Sequence, residues 1–190
     1  MKKTQAFDTK KYLKIQKEEI LKRISSFEGK LYLEFGGKLF DDNHAARVLP
    51  GFEPDAKLQL LLSLKDKAEI VIVINSRDIS SNKVRNDIGI TYQAEVERLI
   101  SAYTQLNLLI KNVVFSFYEA TPLVLEFEKK LNKRGITVYK HYRIAGYPQD
   151  VEKILSEDGL GKNEYITTTR PLVIVTAPGP GSGKLATCLS

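Results

Sequence analysis

The sequence is poor in the residues that mark secreted, metal-binding or membrane-spanning chains. Among its 190 residues there are one cysteine, two histidines and no tryptophan. Cys188 cannot form an internal disulfide, which favours a reducing compartment. No apolar run approaches the ~20 residues of a membrane helix, and the polar stretch after Met1 lacks the apolar core of a secretory signal. We therefore predict a cytoplasmic protein with no membrane partner.

Acidic residues are scarce at the start of the chain, where basic residues are in excess. The net charge is +6, and residues 1–30 hold nine Lys and Arg against four Asp and Glu. A nucleic-acid-binding surface needs a basic stripe interleaved with aromatic side chains on a recognisable module, and no such module is found. A solvated helix face is the simpler explanation, so nucleic acid is not the expected partner.

The spacing of apolar residues predicts an α/β fold over residues 1–190. Helical periodicity is recognised over 8–27, 55–64, 92–106 and 123–133, with a short helix over 151–155, and strand-like runs cover 30–35, 70–74, 113–117, 136–140 and 172–175. Because strands and helices alternate, we expect a mostly parallel sheet flanked by helices, a Rossmann-like three-layer fold. We expect residues 1–29 to form a basic N-terminal helix, 75–89 a polar loop, and 157–170 a linker or an excursion.

A glycine-rich segment follows the last predicted strand and precedes a helix start. Glycines let the backbone approach an anion closely, and free N–H groups at a helix start favour negative charge. We predict that five residues of this segment bind phosphate: Gly179, Gly181, Ser182, Gly183 and Lys184. The alternative is a tight turn that only packs the strand against the helix, with Lys184 as a solvated helix lysine.

Two phosphate-binding patterns can be compared with this segment. The P-loop pattern G-x-x-x-x-G-K-[ST] fits at its glycine-lysine pair, but Pro178 replaces the first glycine and Leu185 the hydroxyl that holds magnesium. The dinucleotide pattern G-x-G-x-x-[GA] fits at Gly181, Gly183 and Ala186. The cofactor is therefore left open between a nucleotide and a phosphorylated metabolite. Leu185 argues against ordinary magnesium-dependent hydrolysis of nucleoside triphosphates.

Further polar side chains follow the predicted strands, where ligands bind in open α/β sheets. The candidates for acid–base chemistry are Asp41, Asp42, His44 and His141, and the candidates for contact with an anion are Lys38, Arg77 and Arg143. Simpler roles compete with each: turn-stabilising acids, a packed histidine and surface ion pairs. Two acids and one imidazole do not fix a metal site, so we predict none. Cys188 lies near a helix start, which lowers a thiol pKa, but a buried thiol is the favoured alternative.

Two blocks of the sequence resemble one known family. The first runs from Glu34 to Phe52 and begins Glu-Phe-Gly-Gly-Lys, and the second runs from Thr168 to Cys188 and contains the glycine-rich segment. Both resemble the bacterial family that carries domain of unknown function 1846, and the resemblance covers the whole chain. It implies a much longer protein, whose C-terminal portion is then a partner of the present domain. It supplies no established catalytic residues.

The leading hypothesis from the sequence is a phosphate- or nucleotide-binding α/β domain of a cytoplasmic enzyme, with the reaction unassigned. The phosphate-bearing partner would be a small molecule. The alternative is a non-catalytic binding or assembly module, in which the basic first helix contacts another subunit or the C-terminal portion. The sequence leaves a homo-oligomer open.

Overall fold

The computed structural model describes residues 6–35 and 47–190 of the chain. The helices that lie entirely within these ranges are α1 (Thr9–Ser26), α2 (Ala56–Ser63), α3 (Ser76–Ser80), α4 (Tyr92–Gln105), α5 (Pro122–Lys133), α6 (Val151–Ile154) and α7 (Lys184–Leu189). The strands of the same ranges are β1 (Leu31–Glu34), β2 (Ala68–Asn75), β3 (Val84–Arg85), β4 (Ile90–Thr91), β5 (Leu109–Ser116), β6 (Thr137–Lys140) and β7 (Leu172–Thr176). The N-terminal helix expected from the sequence is present as α1.

Five of these strands form one sheet in the order β1-β7-β2-β5-β6, in which every neighbouring pair is parallel. The predicted mostly parallel sheet flanked by helices is thereby confirmed. Threonine side chains fix the starts of two flanking helices, because Thr91 and Thr121 accept hydrogen bonds from the N–H groups of Ala94 and Val124. Such caps satisfy donors that have no partner inside the helix.

The winding direction decides which face of the sheet each helix covers. From β1 to β2, β5 and β6 the chain moves one way across the sheet, so right-handed crossovers place α2, α4 and α5 on one face. The larger part of the core lies there, where Ile70, Ile72, Ile74, Leu172 and Ile174 pack against apolar side chains of these helices. Alternation along the strands directs Val71, Val73, Val173 and Val175 to the opposite face.

The return from β6 to β7 reverses this direction, and its connection crosses the opposite face. Part of the predicted excursion 157–170 lies here. After a 3₁₀ turn at Leu160–Lys162, residues 163–169, which belong to no helix or strand and which we call the strap, bring Ile166 onto the valines. Buried Glu69 accepts hydrogen bonds from the N–H and hydroxyl of Thr169 at 2.7 and 3.1 Å. The strap is thus fixed to the sheet by a carboxylate in β2.

The segment 75–89 differs from its prediction as a polar loop. It contains α3 and the β3 strand of the hairpin formed with β4. The side chain of Asn75 caps α3 by accepting from the N–H of Arg77, and Ser76 and Ile79 are buried. The sequence-based prediction was wrong here because short, polar elements of two to five residues carry too little hydrophobic periodicity to be recognised.

Candidate anion-binding site

The glycine-rich turn, residues 177–183, follows β7 at the point where the winding of the sheet reverses. β7 lies between β1 and β2, and α7 contacts β1 and β7. The helices that follow β1 and β2 pack with the larger core, whereas Cys188 of α7 packs with the valines of the other face. Neighbouring strands whose connections leave toward opposite faces open a crevice at their carboxyl ends. The turn occupies that crevice.

Two glycines of the turn have backbone conformations that other residues rarely adopt. The φ angles of Gly181 and Gly183 are +72° and +87°. A Cβ atom on Gly183 would also lie 3.2 Å from Cβ of Ser116. The hydroxyl of Ser116, at the end of β5, donates a 2.6 Å hydrogen bond to the carbonyl of Ser182. β5 therefore holds the turn close, and glycine is required at position 183 for that approach.

The backbone N–H groups of the turn and the first turn of α7 are available as donors. Gly183 caps α7 without a side chain, so the N–H groups of Lys184, Leu185 and Ala186 receive no cap. Among the residues that the structure describes, none accepts a hydrogen bond from the consecutive N–H groups of residues 181–186. Consecutive free N–H groups of this kind bind anions.

Two buried hydroxyl groups beside these amides are also without partners. Ser182 and Thr187 are only 2% and 1% exposed. Within residues 6–35 and 47–190, neither hydroxyl oxygen has a hydrogen-bond partner. An unpaired buried hydroxyl costs free energy, so two of them in one small region are unusual in a settled core. They point independently to a polar ligand.

Lys184 supplies the positive charge of the site but does not stand alone. Its Nζ lies 3.4 Å from Oε1 of Glu34, at the end of β1, and its side chain is 14% exposed. The pair places one positive and one negative group beside the free amides. An anion arriving at the turn would be attracted by Lys184 and repelled by Glu34.

Cavities lie on both sides of the turn. The first, which we call the Arg143 cavity, has a volume of about 530 Å³ and is lined by residues 181–187, the loop 141–147, Glu34, Ser116, Phe117 and Asn163. The second, which we call the hairpin cavity, has a volume of about 920 Å³ and is lined by residues of the β3–β4 hairpin, α4, the turn residues 177–180 and Lys184. A Cβ on Gly179 would lie 2.5 Å from the hydroxyl of Tyr92, so Gly179 is pressed against α4.

The Arg143 cavity brings together several of the predicted residues. Arg143 is exposed in its wall, and no partner for its guanidinium is found in the described part of the chain. His141 is 3% exposed, and its Nε2 lies 3.1 Å from the carbonyl of Glu164. Because a carbonyl only accepts, Nε2 carries the proton. Burial lowers the pKa of His141 below its ordinary value, so the ring is neutral at pH 7.

Cys188 is half-buried on α7, and burial raises the pKa of its thiol to about 11. The carboxylate of Glu34 acts in the same direction. This supports a packed thiol rather than an activated one, since the thiolate is the reactive form.

The other predicted residues are elsewhere. Arg77 lies 3.6 Å from Oε1 of Glu119 and over the ring of Phe117 at 5.9 Å. Lys38, Asp41, Asp42 and His44 lie outside the described residues. Within the described ranges, no three His, Cys, Asp or Glu side chains cluster as a metal site would need. None of the helices in those ranges combines the length and apolar character that a bilayer crossing requires.

Four residues of the site were not among the predicted ones: Glu34, Ser116, Phe117 and Thr187. Three of them had a usable signal, because Glu34, Ser116 and Phe117 lie at or next to the ends of predicted strands, where ligands bind. The φ angle of Phe117, +48°, is unusual for an aromatic residue and is visible only in the structure. Thr187 was identified only in the structure, because its hydroxyl is buried and without a partner among the described residues.

Fold and site together define a three-layer α/β domain with a glycine-rich turn at the switch point of a parallel sheet. The sequence profile described as "Domain of unknown function DUF1846, N-terminal" matches residues 5–190. The chain belongs to this family, as the resemblance of its two sequence blocks predicted.

Its relatives carry the same kind of name. A UPF0371 protein of Streptococcus pyogenes serotype M5 is 55% identical over 188 residues, which are 99% of this chain and 38% of that protein. A UPF0371 protein of Streptococcus sanguinis is 56% identical over 185 residues, covering 97% of this chain and 37% of the relative. The chain thus spans under two fifths of the length of these relatives.

Proposed function

We propose that the domain binds a phosphate-bearing small molecule at the glycine-rich turn. The observation that carries the proposal is the run of free backbone N–H groups from residue 181 to 186 at the carboxyl end of β7. Helix-start amides and their dipole favour negative charge. The unpaired hydroxyls of Ser182 and Thr187 and the cation of Lys184 add donors of the type that phosphate oxygens need.

The proposed ligand reaches the turn without a tightly held magnesium ion. Leu185 stands at the position of the metal-binding hydroxyl of a P-loop, and its side chain is 57% exposed. The charge of the phosphate is then balanced by Lys184 and the backbone amides. Binding of a nucleotide or a phosphorylated metabolite fits this chemistry better than hydrolysis of a nucleoside triphosphate.

We extend the proposal to a cytoplasmic enzyme, with the reaction left unassigned. The support for the compartment is the single, half-buried cysteine. The support for chemistry is His141, whose buried neutral ring lines the same cavity as the turn. Asp41, Asp42 and His44 remain candidates from the sequence for the same role.

The test is ligand-dependent unfolding of the intact protein with a panel of phosphate compounds that starts with pyrophosphate. A ligand at ~100 times its dissociation constant should add about 2.7 kcal/mol to the free energy of unfolding. We expect Lys184→Ala to weaken this binding about tenfold, since it removes the point charge. Lys133→Ala, on exposed α5, should change nothing.

A second variant pair separates the turn from general stability. Gly181 and Gly135 have φ angles of +72° and +73°, and a Cβ on either would meet nothing within 4 Å. Each Gly→Ala change should therefore cost a similar ~1 kcal/mol of stability. Only Gly181→Ala should weaken phosphate binding. No stabilisation by any phosphate compound, or equal binding by all four variants and the wild type, would refute the proposal.

The alternative, a non-catalytic assembly module, is favoured by exposed apolar side chains near the end of the chain. Leu155, Tyr165 and Leu189 are 73%, 71% and 61% exposed. Apolar groups of this exposure often mark contact surfaces. They would suit the remaining portion of a longer protein or a second copy of the chain. A protein that ignores the phosphate panel but self-associates in sedimentation experiments would favour this alternative.

A further inference from the structure

We infer that the ligand is a nucleotide whose base binds in the Arg143 cavity, between the glycine-rich turn and the loop 141–147. This inference rests on the proposed phosphate site and adds the class of compound that the site accepts. The hairpin cavity on the other side of the turn is larger. The choice between the two therefore depends on the chemistry of their walls rather than on their size.

The free donors of the turn face the Arg143 cavity. Its wall includes residues 181–187, which hold the unpaired N–H groups and both unpaired hydroxyls. The part of the turn that lines the hairpin cavity is 177–180, and Lys184 lines both cavities. Prolines have no N–H group, and Gly179 is packed against Tyr92. A phosphate held by the amides therefore leaves the rest of its molecule on the Arg143 side.

The charges of the two walls support the same choice. In the hairpin cavity, Glu95 is buried and contacts two arginines, with Nη1 of Arg85 at 2.7 Å and Nε of Arg98 at 2.7 Å. Lys83 pairs with Asp78 at 3.0 Å. These cations are already neutralised. In the Arg143 cavity the one acid, Glu34, pairs with Lys184, whereas Arg143 has no partner within the described residues and can add positive potential for an anionic ligand.

Much of the remaining wall of the Arg143 cavity is aromatic and aliphatic, and its polar side chains include Glu34, His141 and Asn163. Phe117, Tyr142, Ile144 and Tyr147 all line it. Tyr142 is half-buried, its ring meets that of Tyr118 edge-on with centroids 5.9 Å apart, and Nζ of Lys162 lies 5.0 Å from its centroid, so its plane is held in place. Fixed aromatic rings stack with nucleobases, which all offer a flat π-face. A sugar phosphate without a base would leave these rings without a stacking partner.

Phe117 marks the junction between the phosphate and base regions. It follows β5 with a φ angle of +48°, a conformation that costs energy for a bulky side chain. This conformation brings the edge of its ring to 4.0 Å from where a Cβ of Gly183 would lie. The aromatic wall thus begins directly at the turn. A cavity of about 530 Å³ is within the usual range for a small-molecule site.

The test compares four probes on the intact wild-type protein by calorimetry: pyrophosphate, ribose 5-phosphate, adenosine 5′-monophosphate and adenosine. We expect adenosine 5′-monophosphate to bind at least tenfold more tightly than ribose 5-phosphate, since stacking on an aromatic ring is of that order. Tyr142→Leu should lower the affinity for adenosine 5′-monophosphate about tenfold and leave the affinity for pyrophosphate unchanged. Tyr165→Leu is the matched control, because Tyr165 is exposed and does not line the cavity.

The outcomes separate this inference from the proposed function. Equal binding of ribose 5-phosphate and adenosine 5′-monophosphate would overturn the nucleotide assignment while leaving the phosphate site intact. So would a Tyr142→Leu protein that loses pyrophosphate and nucleotide affinity alike. If no phosphate compound binds, both proposals fail. Should Tyr142→Leu not fold, the wild-type comparison of the four probes still decides the question.

Discussion

At the scale of single residues, the Lys184–Glu34 pair controls the charge at the glycine-rich turn. The two side chains approach to 3.4 Å, with Lys184 mostly covered and Glu34 half-exposed. Ion pairs near a surface contribute little to stability. The more important consequence concerns an incoming anion, which must compete with the carboxylate of Glu34 for the same ammonium group.

We therefore predict that Glu34→Gln strengthens phosphate binding. Loss of the negative charge frees Lys184 and removes the repulsion between Glu34 and the anionic ligand. Ion pairs near a protein surface contribute up to about 1 kcal/mol, so we expect the affinity to rise about two- to fivefold. The measurement is pyrophosphate titration at constant ionic strength. Glu119→Gln is the control, because Glu119 forms a similar pair with Arg77 at 3.6 Å. Weaker binding by Glu34→Gln would show that the carboxylate helps to build the site.

At the scale of elements, the strap is held by buried polar groups rather than by a helix. Glu69 is 1% exposed and accepts from Nδ2 of Asn112 at 3.0 Å as well as from Thr169. The same Asn112 amide donates to the carbonyl of Thr167 at 2.9 Å. The strap in turn provides the carbonyl of Glu164 that orients His141. The strap and the candidate site are therefore linked by the hydrogen bond between His141 and the carbonyl of Glu164.

This network predicts that Glu69→Gln destabilises the protein. A glutamine amide group would turn a donor toward the N–H or hydroxyl of Thr169, which leaves buried donors unpaired at a cost of about 1–3 kcal/mol. Urea unfolding measures the loss. Glu126→Gln, on the exposed surface of α5, should be within ~0.5 kcal/mol of the wild type. Equal stability of the two variants would contradict the role given to Glu69.

The prediction of elements from sequence succeeded where hydrophobic periodicity was strong. β2 was recognised by its run of β-branched residues, and α4 by buried side chains on one stripe, Val96, Leu99, Ile100 and Tyr103. It failed for α3 and the hairpin, because their formation depends on caps and on packing against α4 and α5. Short elements gain their stability from tertiary contacts rather than from their own pattern.

At the scale of the whole molecule, His141 forms hydrogen bonds with three parts of the fold: β5, the residues that follow β5, and the strap. Its backbone N–H donates to the carbonyl of Phe115, its carbonyl accepts from Tyr118, and its ring donates to the strap. Burial lowers the pKa of His141, against a smaller raising effect of the Glu164 carbonyl and carboxylate. The folded protein therefore binds the histidine proton more weakly than the unfolded chain.

The pH dependence of stability follows from that difference. Because the pKa of His141 is below its ordinary 6.5 in the folded state, its contribution is complete above that pH and is lost as the pH falls below it. We expect the free energy of unfolding to decline as the pH falls below about 6.5. In His141→Gln, whose amide can still donate to the strap, this part of the decline should disappear. An unchanged pH profile would show that His141 does not titrate on unfolding.

The glycine-rich turn of the candidate site was located from the sequence, whereas the residues around it were not. The glycine-rich turn and Lys184 were recognised because glycine spacing after a strand has a direct geometric meaning. The pairing of Lys184 with Glu34 joins residues 150 positions apart in the chain. No local pattern records such a contact, and the same holds for the hydrogen bond from Ser116 to Ser182.

The sequence by itself determined the α/β class, the position of the turn and the family, since alternating apolar runs, glycine spacing and residue blocks are local properties. The tertiary structure alone decided the strand order and the reversal at β7, which place the turn in a crevice. It also decided that the free amides face the Arg143 cavity and the prolines the hairpin cavity. Chain crossings and side-chain burial depend on contacts between distant residues, which only folding brings together.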